Sequence, residues 1–187
     1  MLIPLRWSSQ TDEQLMKRAA HGSDRAFEEL YNRYARRLQG FFARRLNGNG
    51  ELAADLMHDT FLRLYDARGR YREGESFRAW LYTIAYNLCK NQQRNVDQMS
   101  TASLTNMSDD SCNIELQLDA TILHDALREV LAALPDPYAM LFSLHYEEEL
   151  TIPQIARITQ LPDGTVKSRL HKAMTIIKQQ LKPYENH

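Results

Sequence analysis

Thr151-Ile152-Pro153-Gln154-Ile155-Ala156-Arg157-Ile158-Thr159-Gln160-Leu161-Pro162-Asp163-Gly164-Thr165-Val166-Lys167-Ser168-Arg169-Leu170-His171-Lys172-Ala173 is the stretch that decides the fold. Thr151 as N-cap, Pro153 in the first turn and Gln154 at the third helical position form a helix start. The helix that follows, Ile152 to Thr159, is short and turns Ile155, Ala156 and Ile158 inward. A turn over Gln160 to Gly164 then leads to a longer helix, for which Asp163 is the expected cap. In that helix Val166, Leu170, Ala173, Ile177 and Leu181 recur at steps of four and three. A short helix, a tight turn and a longer amphipathic helix make a helix-turn-helix, whose second helix enters the DNA major groove. With Val166 inward, about 100° per residue sends Lys167, Ser168, His171, Lys172, Thr175 and Lys178 to the opposite half. Thr165, Lys167 and Ser168 stand at the end that reaches base edges, and Arg169 lies on the flank, suited to a phosphate. A plain helical hairpin with a solvated basic face is the competing reading of the same pattern.

Upstream of this motif, Leu123, Leu127, Val130, Leu131 and Leu134 form one helical face that stops at Pro135-Asp136-Pro137, and a short helix runs from Tyr138 to about Tyr146. Before it, residues 99–125 contain five acids and no Lys or Arg, whereas residues 1–98 carry 16 Lys+Arg against 12 Asp+Glu. The polar run from about Asn95 to Ser111 reads as a linker. The organisation expected is therefore a domain over 1–94, a flexible acidic linker over 95–119 and a domain over 120–187.

In the first domain Thr11 and Gln14 form a capping box opening a short helix that Gly22 ends. A second helix from Ser23 carries Phe27, Leu30, Tyr31, Tyr34, Leu38, Phe41 and Phe42 as one wide apolar stripe, and Asn47 to Gly50 is a turn. A third helix runs from about Glu51 to Asp66. The fourth begins near Ser76 and buries Phe77, Trp80, Leu81, Ile84, Ala85 and Leu88. Its opposite face bears Arg78, Tyr82, Tyr86, Asn87, Asn91 and Arg94, with Lys90 at the edge. Aromatics interleaved with cations suit unpaired nucleic acid, because rings stack on bases while cations hold the backbone. Arg68, Arg70, Tyr71 and Arg72 lie in the preceding loop, placed to receive a splayed base. A solvated helix whose tyrosines pack on a neighbour is the bland alternative. The fold class is all-α: two small helical domains, the C-terminal one a helix-turn-helix.

The whole chain has 187 residues, 23 Lys+Arg and 24 Asp+Glu. Its net charge of -1 excludes nucleic-acid binding by bulk charge, so local patches must carry it. Two cysteines, Cys89 and Cys112, supply neither a disulfide framework nor a four-thiolate metal site. The six histidines are scattered, without a His-Glu-x-x-His pair or a Gly-rich phosphate loop, so neither catalytic residues, metal nor cofactor are expected. No signal peptide and no ~18-residue apolar span is evident, which leads to the expectation of a cytoplasmic protein.

The runs Ala54-Asp55-Leu56-Met57-His58-Asp59-Thr60-Phe61-Leu62-Arg63-Leu64 and Ser76-Phe77-Arg78-Ala79-Trp80-Leu81-Tyr82-Thr83-Ile84-Ala85-Tyr86-Asn87-Leu88 resemble part of the bacterial extracytoplasmic-function (ECF) sigma factors. Leu134-Pro135, Ile155-Ala156 and Gly164 to Ala173 resemble that family's second conserved domain, in the expected order. The likeness covers about residues 23–94 and 120–180. It implies that the second and third helices, with Asp55, His58, Asp59 and Phe61, dock on the largest subunit of RNA polymerase core. It also implies capture of unstacked −10 bases by Arg68, Arg70, Tyr71, Arg72, Phe77, Arg78, Tyr82, Tyr86, Asn87, Lys90 and Arg94. The −35 duplex falls to Thr165, Lys167, Ser168, Arg169, His171 and Lys172. Further implied are contact with the second-largest subunit, single- and double-stranded promoter DNA as ligand, an active monomer, and an anti-sigma factor able to hold the protein at the inner membrane face.

Several residues depart from the family pattern: His58 for Gln, Ala139 for Arg, Glu149 and Gln160 for Gly, Pro153-Gln154 for acids, and no Asp in Asn87 to Gln92. A one-component helix-turn-helix regulator is the alternative function; it would need a dimer surface or effector pocket.

Overall fold

The computed structural model describes residues 7–46, 48–100 and 126–184. Among these every regular element is helical, and the chain divides into two compact units, 1–108 and 109–187. No described helix is long and apolar enough to cross a membrane.

The first unit holds α1 (Asp12–Ala20), α2 (Asp24–Ala43), α3 (Gly50–Ala67) and α4 (Phe77–Ser100). Each start is chemically marked. Thr11 and Gln14 exchange side-chain to backbone bonds of 3.1 and 3.2 Å, the expected capping box. Ser23, Asn49 and Ser76 each accept an amide three residues on, from Ala26, Leu52 and Ala79. Gly48, at φ +80, makes the turn before α3, a conformation that a Cβ would strain.

α2 is the helix around which the unit is assembled, and its aromatic residues do the joining. Phe27 and Tyr31 pack on Phe61 of α3, with ring centroids 6.1 and 4.7 Å apart. Tyr34 packs on Phe77 at 5.4 Å and Phe41 on Tyr82 at 5.3 Å, tying α2 to α4. α1 is locked to α2 by Arg33, which pairs with Asp12 at 2.8 Å and with Glu29 at 3.0 Å. Arg33 also donates to the carbonyl oxygens of Trp7 and Gln10. Burial alone would lower the pKa of Arg33, but bonds to Asp12 and Glu29 outweigh it and hold the guanidinium more firmly protonated.

Two expectations change here. The sequence reading begins the linker at residue 95, yet α4 runs to Ser100. That polar run lacks an apolar period but also any Gly or Pro, and each added helical residue gains a hydrogen bond without a new nucleation cost. The rest of the linker, with Cys112, and the start of the second domain, with Leu123, lie outside the described residues. The buried side of α4 is also rotated: Phe77, Leu81, Tyr82, Ala85, Leu88 and Cys89 are buried, whereas Trp80 and Ile84 are half-buried. Contact with both α2 and α3 sets this face, which the helix's own period could not disclose.

The second unit holds α5 (residues 126–132), α6 (Asp136–Phe142) continuing into a π turn (Ser143–Glu147), α7 (Ile152–Thr159) and α8 (Asp163–Leu181). Val130 and Leu134 meet Ala173 and Ile177 in a core to which Leu127, Tyr138 and Phe142 add. Glu149 and Gln160 both have left-handed backbones, φ +55 and +57, at the two turns where the resemblance places glycine. The first turn is pinned by His145, whose Nδ1 donates to the Leu150 carbonyl oxygen at 2.8 Å; a carbonyl only accepts, so the proton is on Nδ1. At α7, Thr151 N–H donates to Gln154 Oε1 at 2.8 Å. Asp163 does not cap α8: Pro162 occupies the cap position and Asp163 is the first helical residue. Proline, with φ near -60, already has the dihedral that leads into a helix, so the helix begins one residue early; Asp163 still complements its positive end.

Candidate polymerase and nucleic-acid interfaces

α3 turns Leu56, Met57, Thr60, Phe61 and Leu64 inward, which leaves Asp55, His58, Asp59, Leu62, Arg63 and Asp66 exposed. Asp55, His58 and Asp59 therefore share one accessible surface, as a docking face requires. Phe61 does not: it is buried between Phe27 and Tyr31, so its expected direct contact with a partner is corrected to a core role. Leu62 was missed, although it lies four residues from His58 on the same face. It is 63% exposed, an apolar side chain amid charges. His58 is steadied by Tyr31, whose hydroxyl is 3.3 Å from Nε2.

The loop between α3 and α4 is fixed from both sides. Arg68 donates to the Tyr65 carbonyl oxygen at 2.6 Å and lies 3.7 Å from the Tyr65 ring centroid, so it caps α3. Tyr71 stacks on Trp80 with centroids 5.6 Å apart, and its hydroxyl donates to the Glu75 carbonyl oxygen at 2.6 Å. Burial, reinforced by Glu13, Glu75 and Asp12, pushes the Tyr71 phenol up to about 12. Glu13 accepts the Phe77 amide at 3.4 Å, and Lys17 pairs with Glu73 at 2.7 Å, which braces the loop on α1. Arg70 and Arg72 remain exposed beside the Tyr71–Trp80 pair. Trp80, expected in the apolar stripe, is only half-buried and is stacked on Tyr71.

On α4, Asn87, Lys90, Asn91 and Arg94 are exposed and Arg78 and Tyr86 half-buried, close to the sequence reading. Tyr82 is a correction, and so is the −10 contact implied for Phe77, which the helical period already placed inward. Both are fully buried, against Tyr34 and Phe41, and neither can stack on a base from there. Arg78 Nε lies 3.4 Å from the Tyr34 hydroxyl, which itself donates to Asp12. Burial and Asp12 push the Tyr34 phenol up to about 12, so it stays neutral and bridges the two charged groups. The arrangement can hold extended, unpaired strand: a ring pair, flanking cations and carboxamides on one face.

α8 buries Val166, Leu170, Ala173 and Ile177 and exposes Lys167, Ser168, His171, Lys172 and Lys178, with Thr165 and Arg169 half-buried. Ser168 donates to the Thr165 carbonyl oxygen at 3.0 Å, leaving its lone pairs outward. This side of α8 is a polar, cationic surface of the shape that fits a major groove.

Two family models match in order: sigma-70 region 2 over residues 30–98 and sigma-70 region 4 over residues 124–177. The RNA polymerase sigma factor CarQ of Myxococcus xanthus is 33% identical over 173 residues, covering 89% of this chain and 95% of its own. The RNA polymerase sigma-H factor of Pseudomonas aeruginosa is 29% identical over 192 residues, covering 94% and 96%. Among solved structures, the sigma factor RpoE of Bartonella quintana, in complex with the anti-sigma factor NepR, is similar in fold. Its TM-score is 0.66 at 22% identity, covering 83% of this chain and 96% of that one. CnrH, solved with the cytosolic domain of CnrY, gives a TM-score of 0.65 at 22% identity, covering 92% and 97%. A relative above 30% identity over most of both chains, region 2 and region 4 falling in order on the two helical units already described, and further relatives named as ECF sigma factors show that this chain belongs to the ECF sigma factors of the sigma-70 family.

Proposed function

We propose that this chain binds RNA polymerase core and directs it to promoters by gripping the DNA at two points. The observation that carries the reading is the division of α8: Val166, Leu170, Ala173 and Ile177 are buried in the second unit, and Lys167, Ser168, His171 and Lys172 are left facing out. That surface reads the −35 duplex, with Thr165 and Arg169 at its margin. The Tyr71–Trp80 pair with Arg70, Arg72, Arg78, Tyr86, Asn87, Lys90 and Arg94 takes unpaired −10 bases. The exposed Asp55, His58, Asp59 and Leu62 surface of α3 docks on the largest polymerase subunit, and the acidic linker passes toward the second-largest.

Chemistry belongs to polymerase in this reading. Bases held outside the duplex add binding energy only to the melted state, so the closed-to-open equilibrium shifts by that differential affinity. The protein works as a cytoplasmic monomer, sequestered by an anti-sigma factor until released. Transcription in vitro with core polymerase and a genomic fragment library tests this. Discrete start sites dependent on the protein are expected. No start site on any fragment, with both proteins folded, overturns it, and a homodimer binding an operator without polymerase would establish the regulator instead.

A further inference from the structure

From Leu30 to Gly50 the chain carries Arg33, Arg36, Arg37, Arg44 and Arg45 and no Asp or Glu. From Ser76 to Val96 it carries Arg78, Lys90 and Arg94, again without an acid. These two tracts lie side by side, joined by the Tyr34–Phe77, Phe41–Tyr82 and Arg78–Tyr34 contacts. Exposed acids lie outside both tracts, at Glu13, Asp24 and Glu28 before them, at Glu51, Asp55, Asp59 and Asp66 on α3 and at Glu73 and Glu75 in the loop that follows. The acid-free, cationic surface thus extends from α4 onto the later half of α2.

The five arginines between Leu30 and Gly50 differ in exposure. Arg33 is held by Asp12 and Glu29, and Arg45 lies 3.9 Å from the Phe41 ring centroid while donating to the Phe41 carbonyl oxygen at 2.7 Å. Arg36, Arg37 and Arg44 are exposed, Arg37 with its guanidinium carbon 5.9 Å from the Tyr34 ring centroid. At about 100° per residue Arg37, Gly40 and Arg44 fall on one stripe with Arg36 beside it, continuing the face on which Arg33 meets the start of α1. Gly40 sits inside a 20-residue helix. Glycine there costs about 1 kcal/mol relative to alanine, and it leaves helix backbone open to close approach. A Cβ at this position would come within 3.3 Å of the Arg44 Nη1 atom, so the guanidinium lies along the bare helix surface.

We infer that Arg36, Arg37 and Arg44, arranged around Gly40, form a second phosphate track that holds the promoter backbone alongside α4. The inference rests on the promoter-binding reading above and adds to it a surface on α2. Arg37 and Arg44 are about 10 Å apart along the axis at 1.5 Å per residue, far enough to meet different phosphates of one strand. Such a track fixes position on the DNA without reading sequence.

The test uses holoenzyme assembled from core polymerase and full-length protein, on a promoter at which the wild type initiates. One variant combines Arg36→Gln, Arg37→Gln and Arg44→Gln; another, Gly40→Gln, keeps the charge but covers the bare backbone and improves helix propensity, so it folds. For the triple variant the slope of log affinity against log salt is expected to flatten by about two to three, roughly one for each phosphate that is no longer neutralised. Core affinity should be unchanged, because docking is assigned to the exposed Asp55, His58, Asp59 and Leu62 surface of α3 and not to this face of α2, and promoter binding should weaken alike on all promoters. Gly40→Gln should weaken promoter binding with core affinity intact. An unchanged salt slope in the triple variant overturns the track. So does loss of core affinity with that slope unchanged, which would make the patch a polymerase surface. Wild-type protein that initiates nowhere would instead overturn the promoter-binding reading itself.

Discussion

Replacing Gln160 by glycine should stabilise the second unit. Gln160 follows the last turn of α7 with φ +57 and ψ +34, and its amide donates to the Ala156 carbonyl oxygen. For a residue with a Cβ this left-handed region costs about 1–2 kcal/mol. Glycine removes that cost but restores about 0.4–1 kcal/mol of conformational entropy to the unfolded chain. The net gain is then about 0.5–1 kcal/mol. The Gln160 side chain is exposed, so little packing is lost. Both tryptophans, Trp7 and Trp80, lie in the first unit, so tryptophan fluorescence would follow the wrong half of the molecule. Hydrogen exchange of peptides from α7 and α8 is the suitable assay, with slowing of about two- to fivefold expected. Gln160→Ala keeps the Cβ and should change little, and Gln160→Val should exchange faster. Glu149→Gly, at the turn on the other side of α7, should add independently. If Gln160→Gly exchanges no more slowly than Gln160→Ala, backbone strain is not stored at this turn.

Tyr82→Ala should cost about 3–5 kcal/mol of first-unit stability in a denaturant melt followed by Trp80 fluorescence, because it empties a fully buried site against Phe41. Tyr86→Ala should impair strand opening, read by permanganate reactivity, with a much smaller stability loss; equal effects of the two on opening at matched stability would return Tyr82 to the DNA surface. Lys172→Gln should weaken all promoters alike, whereas Ser168→Ala should shift preference at one base position by about 1–3 kcal/mol in competition binding. In alkali, Tyr34 and Tyr71 ionise only near 12 in the folded protein but near 10 when unfolded. Their stabilising effect is therefore complete below pH 10 and lost as pH rises toward 12; an absorbance titration at which all tyrosines ionise together near pH 10, with the fold intact, would contradict this.

The sequence by itself determined what depends on local spacing. Helix starts at Thr11 and Ser23, the apolar face of α8 and the exposed Lys167, Ser168, His171 and Lys172 all follow from a cap or a single period, so they are legible without knowledge of packing. The left-handed turns at Glu149 and Gln160 are legible only through resemblance, since neither residue type announces that backbone. Tertiary structure decided which aromatic residues are available. Tyr82 reads as a contact yet is buried, and Trp80 reads as core yet is half-buried, because α4 is packed on more than one neighbour; Phe61 and Phe77, contacts only through the resemblance, lie buried as their helices' own periods place them. A helix's own period fixes one inward direction; a second packed neighbour widens and rotates it, and only the folded unit says by how much. The Arg37, Gly40 and Arg44 stripe belongs to the same class, because its place beside α4 exists only once Tyr34 and Phe41 have met Phe77 and Tyr82.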